Sequence, residues 1–236
     1  MTDNAPPPQR KRLSTSAKAA LITIPTVLLA VLIAILVFAS AKNEEKPAGG
    51  DPESSAPAVP LVEENSHRLD DAGDGAPTLV EFLDFECEAC GEVYPVMEEI
   101  RAQYAGRVNF VVRYFPIPGH LNSMNAAVAV EAAAQQGKFE EMYQRMYETL
   151  PDWGEGRDSE APRFRGYAEE LGLDLAAFDR AVADPATQER VEFDFEAGQA
   201  LGVQGTPTFF LEGEQFQPQY VDDISEALDA AIAARK

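Results

Sequence analysis

The stretch from Ala19 to Ala41, AALITIPTVLLAVLIAILVFASA, holds no charged residue in 23 positions. A run this apolar has to leave water. At ~1.5 Å per residue, a helix of this length matches a hydrocarbon core of ~30 Å. Ahead of it, residues 1–18 carry Arg10, Lys11, Arg12 and Lys18 against Asp3, and behind it comes the balanced KNEEK. The positive charge on the leading side predicts that residues 1–18 stay in the cytoplasm and that everything after 41 lies outside. The run reads as a retained single transmembrane anchor, with Pro25 accommodated in its first turns. The alternative is a signal peptide removed at the A-x-A pattern of Ala39–Ala41, against which stands an apolar core longer than the usual ~7–15 residues. Either reading delivers the rest of the chain to a compartment where disulfides persist.

Charge then excludes some functions. Four of the 19 basic and one of the 40 acidic residues lie in 1–41, so residues 42–236 carry 15 basic against 39 acidic side chains, a net of −24. Such a surface repels phosphate backbones and anionic lipid, which argues against nucleic-acid binding. Its simplest consequence is solubility. Residues 42–60 are rich in Pro, Gly, Ser and Glu with almost no large apolar side chain, and are expected to be a flexible linker. A folded domain is expected over 61–236.

Within it, TLVEFLDF (78–85) is β-branched and aromatic after a turn-rich lead, and reads as a buried strand. VYPVMEEIRAQYA reads as a helix with Pro95 inside it, and RVNFVVRYFPIPG as a second strand running into a Pro-bounded loop. Residues 122–202 look almost wholly helical, beginning with an Ala-rich helix capped at Asn122 or Ser123 and stopped at Gly137. A helix opening at Pro185 ends this block. TPTFFLEG and EQFQ read as a hairpin turning at Gly213, and VDDISEALDAAIAARK as a closing amphipathic helix. The order predicts an α/β fold, a sheet with helices on both faces and a helical insertion midway. Tyr114, Phe115, Phe209 and Phe210 are expected in the core, and Trp153 in a partly exposed loop.

The chain has two cysteines, Cys87 and Cys90, just after the first strand of that pattern. A bridge across so short a loop is a poor staple, because it removes little unfolded-state entropy. Zinc would need two more soft ligands, and His67 and His120 stand at no familiar spacing. A strand that delivers Cys87 to a helix start does suggest a role. The unpaired N–H groups and positive dipole end of the first turn stabilise a thiolate, the reactive form. Cys90, one turn on, is close enough to attack a sulfur on Cys87, as thiol–disulfide exchange requires.

VEFLDFECEAC with the later GVQGTPTFFLEG resembles the thioredoxin superfamily, and specifically the DsbA-like thiol:disulfide oxidoreductases. The resemblance spans about 61–236 and includes the helical insertion. It implies a thioredoxin-like fold with a central mixed sheet, Cys87 as nucleophile and Cys90 as resolving cysteine. Thr206–Pro207 matches the family's cis-proline loop, where the Thr206 backbone would pair with an extended substrate. Glu81 matches a buried carboxylate that would take the Cys90 proton, with a pKa raised by desolvation; the plain alternative is a solvated strand-edge Glu. His120 stands where similar sequences carry a His, as a cleft residue or, in the simpler reading, a capping or packing one. The dipeptide between the cysteines is Glu88–Ala89, not the Pro-His of strongly oxidising members. Glu86, Glu88 and Glu92 are expected to surround the thiols with negative charge, giving a less depressed Cys87 pKa and a weaker oxidant.

The function this predicts is disulfide formation in exported proteins by a membrane-anchored extracytoplasmic enzyme. No metal or organic cofactor is needed, and the family implies a quinone-linked membrane partner for reoxidation. The alternatives are a reductase or isomerase of the same fold, and a non-catalytic thioredoxin-like binding or chaperone module.

Overall fold

The computed structural model describes residues 59–154 and 156–235. The expected cytoplasmic segment at 1–18, the apolar run at 19–41 and the linker up to residue 58 lie outside the described residues. Among the described residues no helix is long and apolar enough to cross a membrane.

Five strands form one mixed sheet in the order β1-β3-β2-β4-β5. The central strand β2 (Thr78–Leu83) is buried at nearly every position because both of its faces are covered. It runs parallel to β3 (Asn109–Tyr114), the two joined by helix α1 (Glu88–Tyr104), and antiparallel to β4 (Thr208–Leu211). β5 (Glu214–Phe216) closes one edge through a turn in which Glu212 and Gly213 both take positive φ. The other edge is β1 (His67–Asp70), antiparallel to β3, with its register broken between Arg68 and Asp70. β1 was not expected from the sequence, because HRLD is short, charged and without alternation.

Period-two alternation in β2 divides the core. Leu79 faces Met97, Ile100 and Tyr104 of α1 and Ile224 and Leu228 of the last helix, α8 (Val221–Ala234). Val80 and Phe82 pack instead with Phe115, Val203 and Phe210. Glu81 shares the face of Leu79 and is thereby carried beneath α1.

The helical insertion lies between β3 and β4. Its centre is α2 (Ser123–Ala134), whose alanines let four neighbours come close. These are α3 (Phe139–Glu148), α5 (Ala161–Glu170), α6 (Leu175–Ala183) and α7 (Pro185–Ala200). The short α4 (Leu150–Trp153) follows α3 directly. Trp153 corrects the expectation of a partly exposed loop residue. It is buried, donates its indole N–H to the Met146 carbonyl at 3.3 Å, and meets Phe164 edge-on at 4.9 Å. A turn-rich neighbourhood hid a side chain that long-range packing claims.

Two arginines tie the layers together. Arg113 of β3 donates to Asp194 of α7 at 2.7 Å, both side chains fully buried, and reaches the carbonyls of Pro60 and Leu61. Arg101 of α1 donates to Asp70, to Glu98, to Glu140 of α3 and to the Leu69 carbonyl. Both pairings satisfy groups that would be costly to bury alone.

α7 crosses the sheet at Gly198, where an added Cβ would lie 2.7 Å from the Phe115 ring and 3.0 Å from Phe82. Ala is favoured over Gly by ~1 kcal/mol in a helix interior, but overpacking costs ~1–3 kcal/mol. Gly198→Ala is therefore expected to destabilise the domain by up to ~2 kcal/mol in urea unfolding. Stability at or above that of the parent chain would show that the two rings yield.

Candidate active site

The end of β2 sets the site. After Leu83 the chain passes through Asp84 and Phe85 and enters α1 at Cys87, which is the N-cap residue with extended backbone (φ −74°, ψ 120°). Cys90 lies in the first turn and is almost completely buried. Both cysteines are free thiols. The Thr206–Pro207 peptide bond is cis, as expected. The Thr206 carbonyl lies 3.4 Å from the Cys87 sulfur, whose S–H, when present, donates to it. Residues 119 apart in sequence thus meet at one atom.

The two sulfurs differ in character. The Cys87 thiol is lowered to about 5, first because Cys90 donates a hydrogen bond to it. Burial opposes this, and hydrogen bonding from the Thr206 side chain assists it. The Thr206 hydroxyl is buried with no hydrogen-bond partner, so it is left to serve the thiolate. Cys90 is pushed well up, mainly by burial and then by its bond to Cys87. The pair therefore holds one proton on Cys90 and a negative charge on Cys87 at neutral pH.

Glu81 is buried, not solvated at a strand edge. Burial first, then the negative charges of Glu98 and Cys87, raise it to about 8. It lines a small cavity, about one water in size, with Arg101 and Tyr143. It carries its proton at neutral pH.

Asp84 was not singled out from the sequence, yet it organises the site. Its carboxylate accepts from the Glu86 N–H at 3.0 Å, the Ser123 hydroxyl at 2.7 Å and the Ile117 N–H at 3.1 Å, and pairs with His120 Nδ1 at 2.6 Å. These partners beyond Glu86 lie on the loop after β3 and at the start of α2, so one buried carboxylate joins the sheet to the helical insertion beside Cys87. His120 is thereby held in a cleft of about 470 Å³ with Glu86, Cys87, Glu88, Ala89, Gly119, Leu121 and Gly156. It lines the cleft and packs at once, where the sequence had favoured packing or capping alone.

The expected acidic surround is corrected in part. Glu86 is buried and accepts the Asn122 N–H at 2.5 Å, so its charge is spent on the start of α2. The carboxylate that opposes the Cys87 thiolate is Asp84. Glu88 and Glu92 are exposed on α1.

A family model described as thioredoxin matches residues 73–230. The chain belongs to the thioredoxin family. Solved structures share its fold. A variant of alpha-DsbA1 from Wolbachia pipientis superposes with a TM-score of 0.65 at 19% identity, over 75% of this chain and 96% of that one. A thioredoxin-like oxidoreductase from Silicibacter pomeroyi DSS-3 superposes at 0.60 with 27% identity, over 72% and 93%. The chain is also 37% identical, over 161 residues, to a Na(+)/H(+) antiporter NhaA 3 of Salinispora tropica, a match that takes in 67% of this chain but 24% of the antiporter. It spans about a quarter of the length of that curated relative.

Proposed function

We propose that this chain is a DsbA-like, membrane-anchored, extracytoplasmic thiol:disulfide oxidoreductase that forms disulfides in exported proteins. The observation that carries the reading is the inequality of the two thiols, an acidic Cys87 at a helix N-terminus over a buried, protonated Cys90. Stabilising the Cys87 thiolate stabilises the reduced pair, and that makes its disulfide an oxidant.

Exchange begins when a substrate thiolate attacks the Cys87 sulfur of the Cys87–Cys90 disulfide. The bond between the two enzyme sulfurs breaks, and Cys90 leaves as a thiolate that takes a proton from Glu81. A second substrate thiolate then attacks the substrate sulfur of the mixed disulfide and displaces Cys87 as a thiolate, a good leaving group because its pKa is low. The substrate loses two electrons and the enzyme pair gains them. Thr206 and Pro207 hold the incoming backbone beside Cys87.

The sulfurs carry the redox chemistry, so the reading calls for no metal or organic cofactor. Return to the disulfide is assigned to a quinone-linked membrane partner, near which the anchor at 19–41 and the linker at 42–60 keep the domain. Transport, the property in the antiporter's name, belongs to a chain of which the matching segment is a quarter; the geometry around Cys87 supports thiol chemistry instead.

The test is the reduction potential of the pair at equilibrium with glutathione. A value between about −120 and −180 mV is expected; about −270 mV would make the chain a reductase. Fractionation of cells before and after alkaline extraction tests the anchor, and loss of the domain from the membrane pellet would refute it.

A further inference from the structure

Alongside the Cys87 cleft runs a second groove of about 380 Å³, lined by Glu88, Gly91 and Glu92 of α1 and by Tyr147, Leu150, Pro151 and Gly154 of the helical insertion. Glu88 lines both, so the two adjoin at the first turn of α1. The groove depends on two glycines that flank one leucine. A Cβ on Gly91 would lie 2.5 Å from Leu150 Cδ2, and one on Gly154 would lie 2.9 Å from Leu150 Cδ1 and 3.0 Å from its carbonyl oxygen. Leu150 is thus seated between two backbone segments, and a methyl group on either would have to displace the end of its side chain. The aromatic wall is braced too, with Tyr94 stacked on Tyr147 at 5.2 Å.

This surface is chemically two-sided. Leu150, Pro151 and Tyr147 offer an apolar bed, and Glu88 and Glu92 an exposed acidic rim along one edge. Glu148 and Asp152, both exposed, lie in the same run of chain as the opposite wall. A neutral aliphatic side chain would use the bed and leave the rim idle; an acidic one would be repelled. Only a long side chain with a methylene stem and a cationic tip uses both.

We propose that this groove selects substrate segments carrying Lys or Arg beside the reactive cysteine, the stem lying on Leu150 and Pro151 and the cation at Glu92. The proposal rests on the thiol-exchange reading and gives it a substrate class: basic, cysteine-containing stretches of unfolded exported chains. It also divides the work of recognition. Thr206 takes the backbone, without regard to sequence, and the groove takes one neighbouring side chain.

The experiment uses the oxidised full chain and reduced synthetic peptides with one cysteine and Lys, Leu or Glu two residues away. Rates of mixed-disulfide formation are divided by each peptide's rate with a neutral small disulfide, which removes differences in thiol reactivity. The wild-type chain is expected to favour the Lys peptide over the Glu peptide by roughly fivefold or more at low salt. Glu92→Gln is expected to shrink that ratio and Glu92→Lys to invert it. Glu92→Gln alters the charge of the acidic domain by one unit, so a preference imposed by its overall field would survive the change. Survival of the full ratio in Glu92→Gln would therefore overturn the groove as its source. Equal rates for the Lys and Leu peptides would reduce it to an apolar bed and refute the charge selection. If dithiothreitol reduces the Cys87–Cys90 disulfide but all peptides react alike, this inference alone fails. If no thiol reacts, the exchange reading fails with it.

Discussion

Removing the Cys90 thiol as Cys90→Ala is expected to raise the Cys87 pKa by roughly one to two units from its value of about 5. A hydrogen bond to a charged group contributes about 1.5–3 kcal/mol, and that from Cys90 is the largest influence holding Cys87 down. The sign is fixed by which form the bond favours. Cys90 donates to the thiolate, so its loss shifts Cys87 toward the protonated form, and at pH 6 the reactive fraction falls. Alkylation rate against pH measures this directly, with a midpoint near 5 in the parent chain and roughly 6–7 in the variant. The same substitution leaves no Cys87–Cys90 disulfide to be attacked, so oxidation of reduced substrates should stop. Offered a substrate that already holds a disulfide, the Cys87 thiolate should attack it, expel one substrate thiolate and accumulate as the mixed disulfide, because no second enzyme thiol can release it. Cys87→Ser should form none and should lose all exchange activity. A midpoint that stays near 5 in Cys90→Ala would mean that the helix end and Thr206 suffice, and would remove the stated cause of the asymmetry.

A second large effect is expected from Glu81→Gln. The Glu81 carboxyl titrates at about 8 in the folded domain against an ordinary 4.5. A carboxyl raised by folding holds its proton more tightly in the folded state, so its effect on stability changes only between the unfolded and folded pKa values. Below pH 4.5 both states are protonated and the ionisation of Glu81 has no bearing on stability. Between 4.5 and 8 the unfolded chain ionises while the folded one does not, and stability falls by ~1.4 kcal/mol per pH unit. At about pH 7 the deficit is ~3 kcal/mol. The glutamine side chain does not titrate, so the variant is expected to be more stable than the parent by that amount at pH 7 and equal to it at pH 4. Urea unfolding of the reduced proteins at both values is the check, and a pH-independent difference would contradict the protonated state. The gain should come with a loss, because a glutamine at this position can neither give a proton to Cys90 nor take one. Attack on the Cys87–Cys90 disulfide, the step in which Cys90 leaves, should slow, while displacement of Cys87 from the mixed disulfide is spared.

The cysteines and Glu81 were legible in the sequence for different reasons. Cys87 and Cys90 announced themselves by spacing and by a strand just before them. Glu81 was marked by the resemblance; alternation added only that it shares the face of Leu83, and its burial follows from α1 covering the face it shares with Leu79. Thr206–Pro207 needed the resemblance, since nothing local says that a strand start will meet a thiol 119 residues away. Asp84 and Glu86 show where pattern reading stops. Both sit among apolar residues near the strand end, and a lone acid there looks like a solvated boundary. Their partners Ile117, His120, Asn122 and Ser123 stand far downstream. The signal that could have found Asp84 was the cluster of polar groups at 120–123 opening an otherwise apolar helix, which needs an acceptor from elsewhere. Trp153 and β1 escaped for the same reason, as each is defined by contacts that only the assembled chain supplies.

The edges of the sheet bear on the company such a domain keeps. β1 is four residues long with its register broken, and β5 is three residues long with Glu214 exposed. Unpaired edges invite stray strands to zip on, and shortness, irregularity and charge are what discourage them. Under the function proposed above, the domain would meet the sticky segments of unfinished chains constantly. With both flanks blunted, such a chain would find little to adhere to except the backbone and groove beside the cysteines, and could depart once its own bond is made.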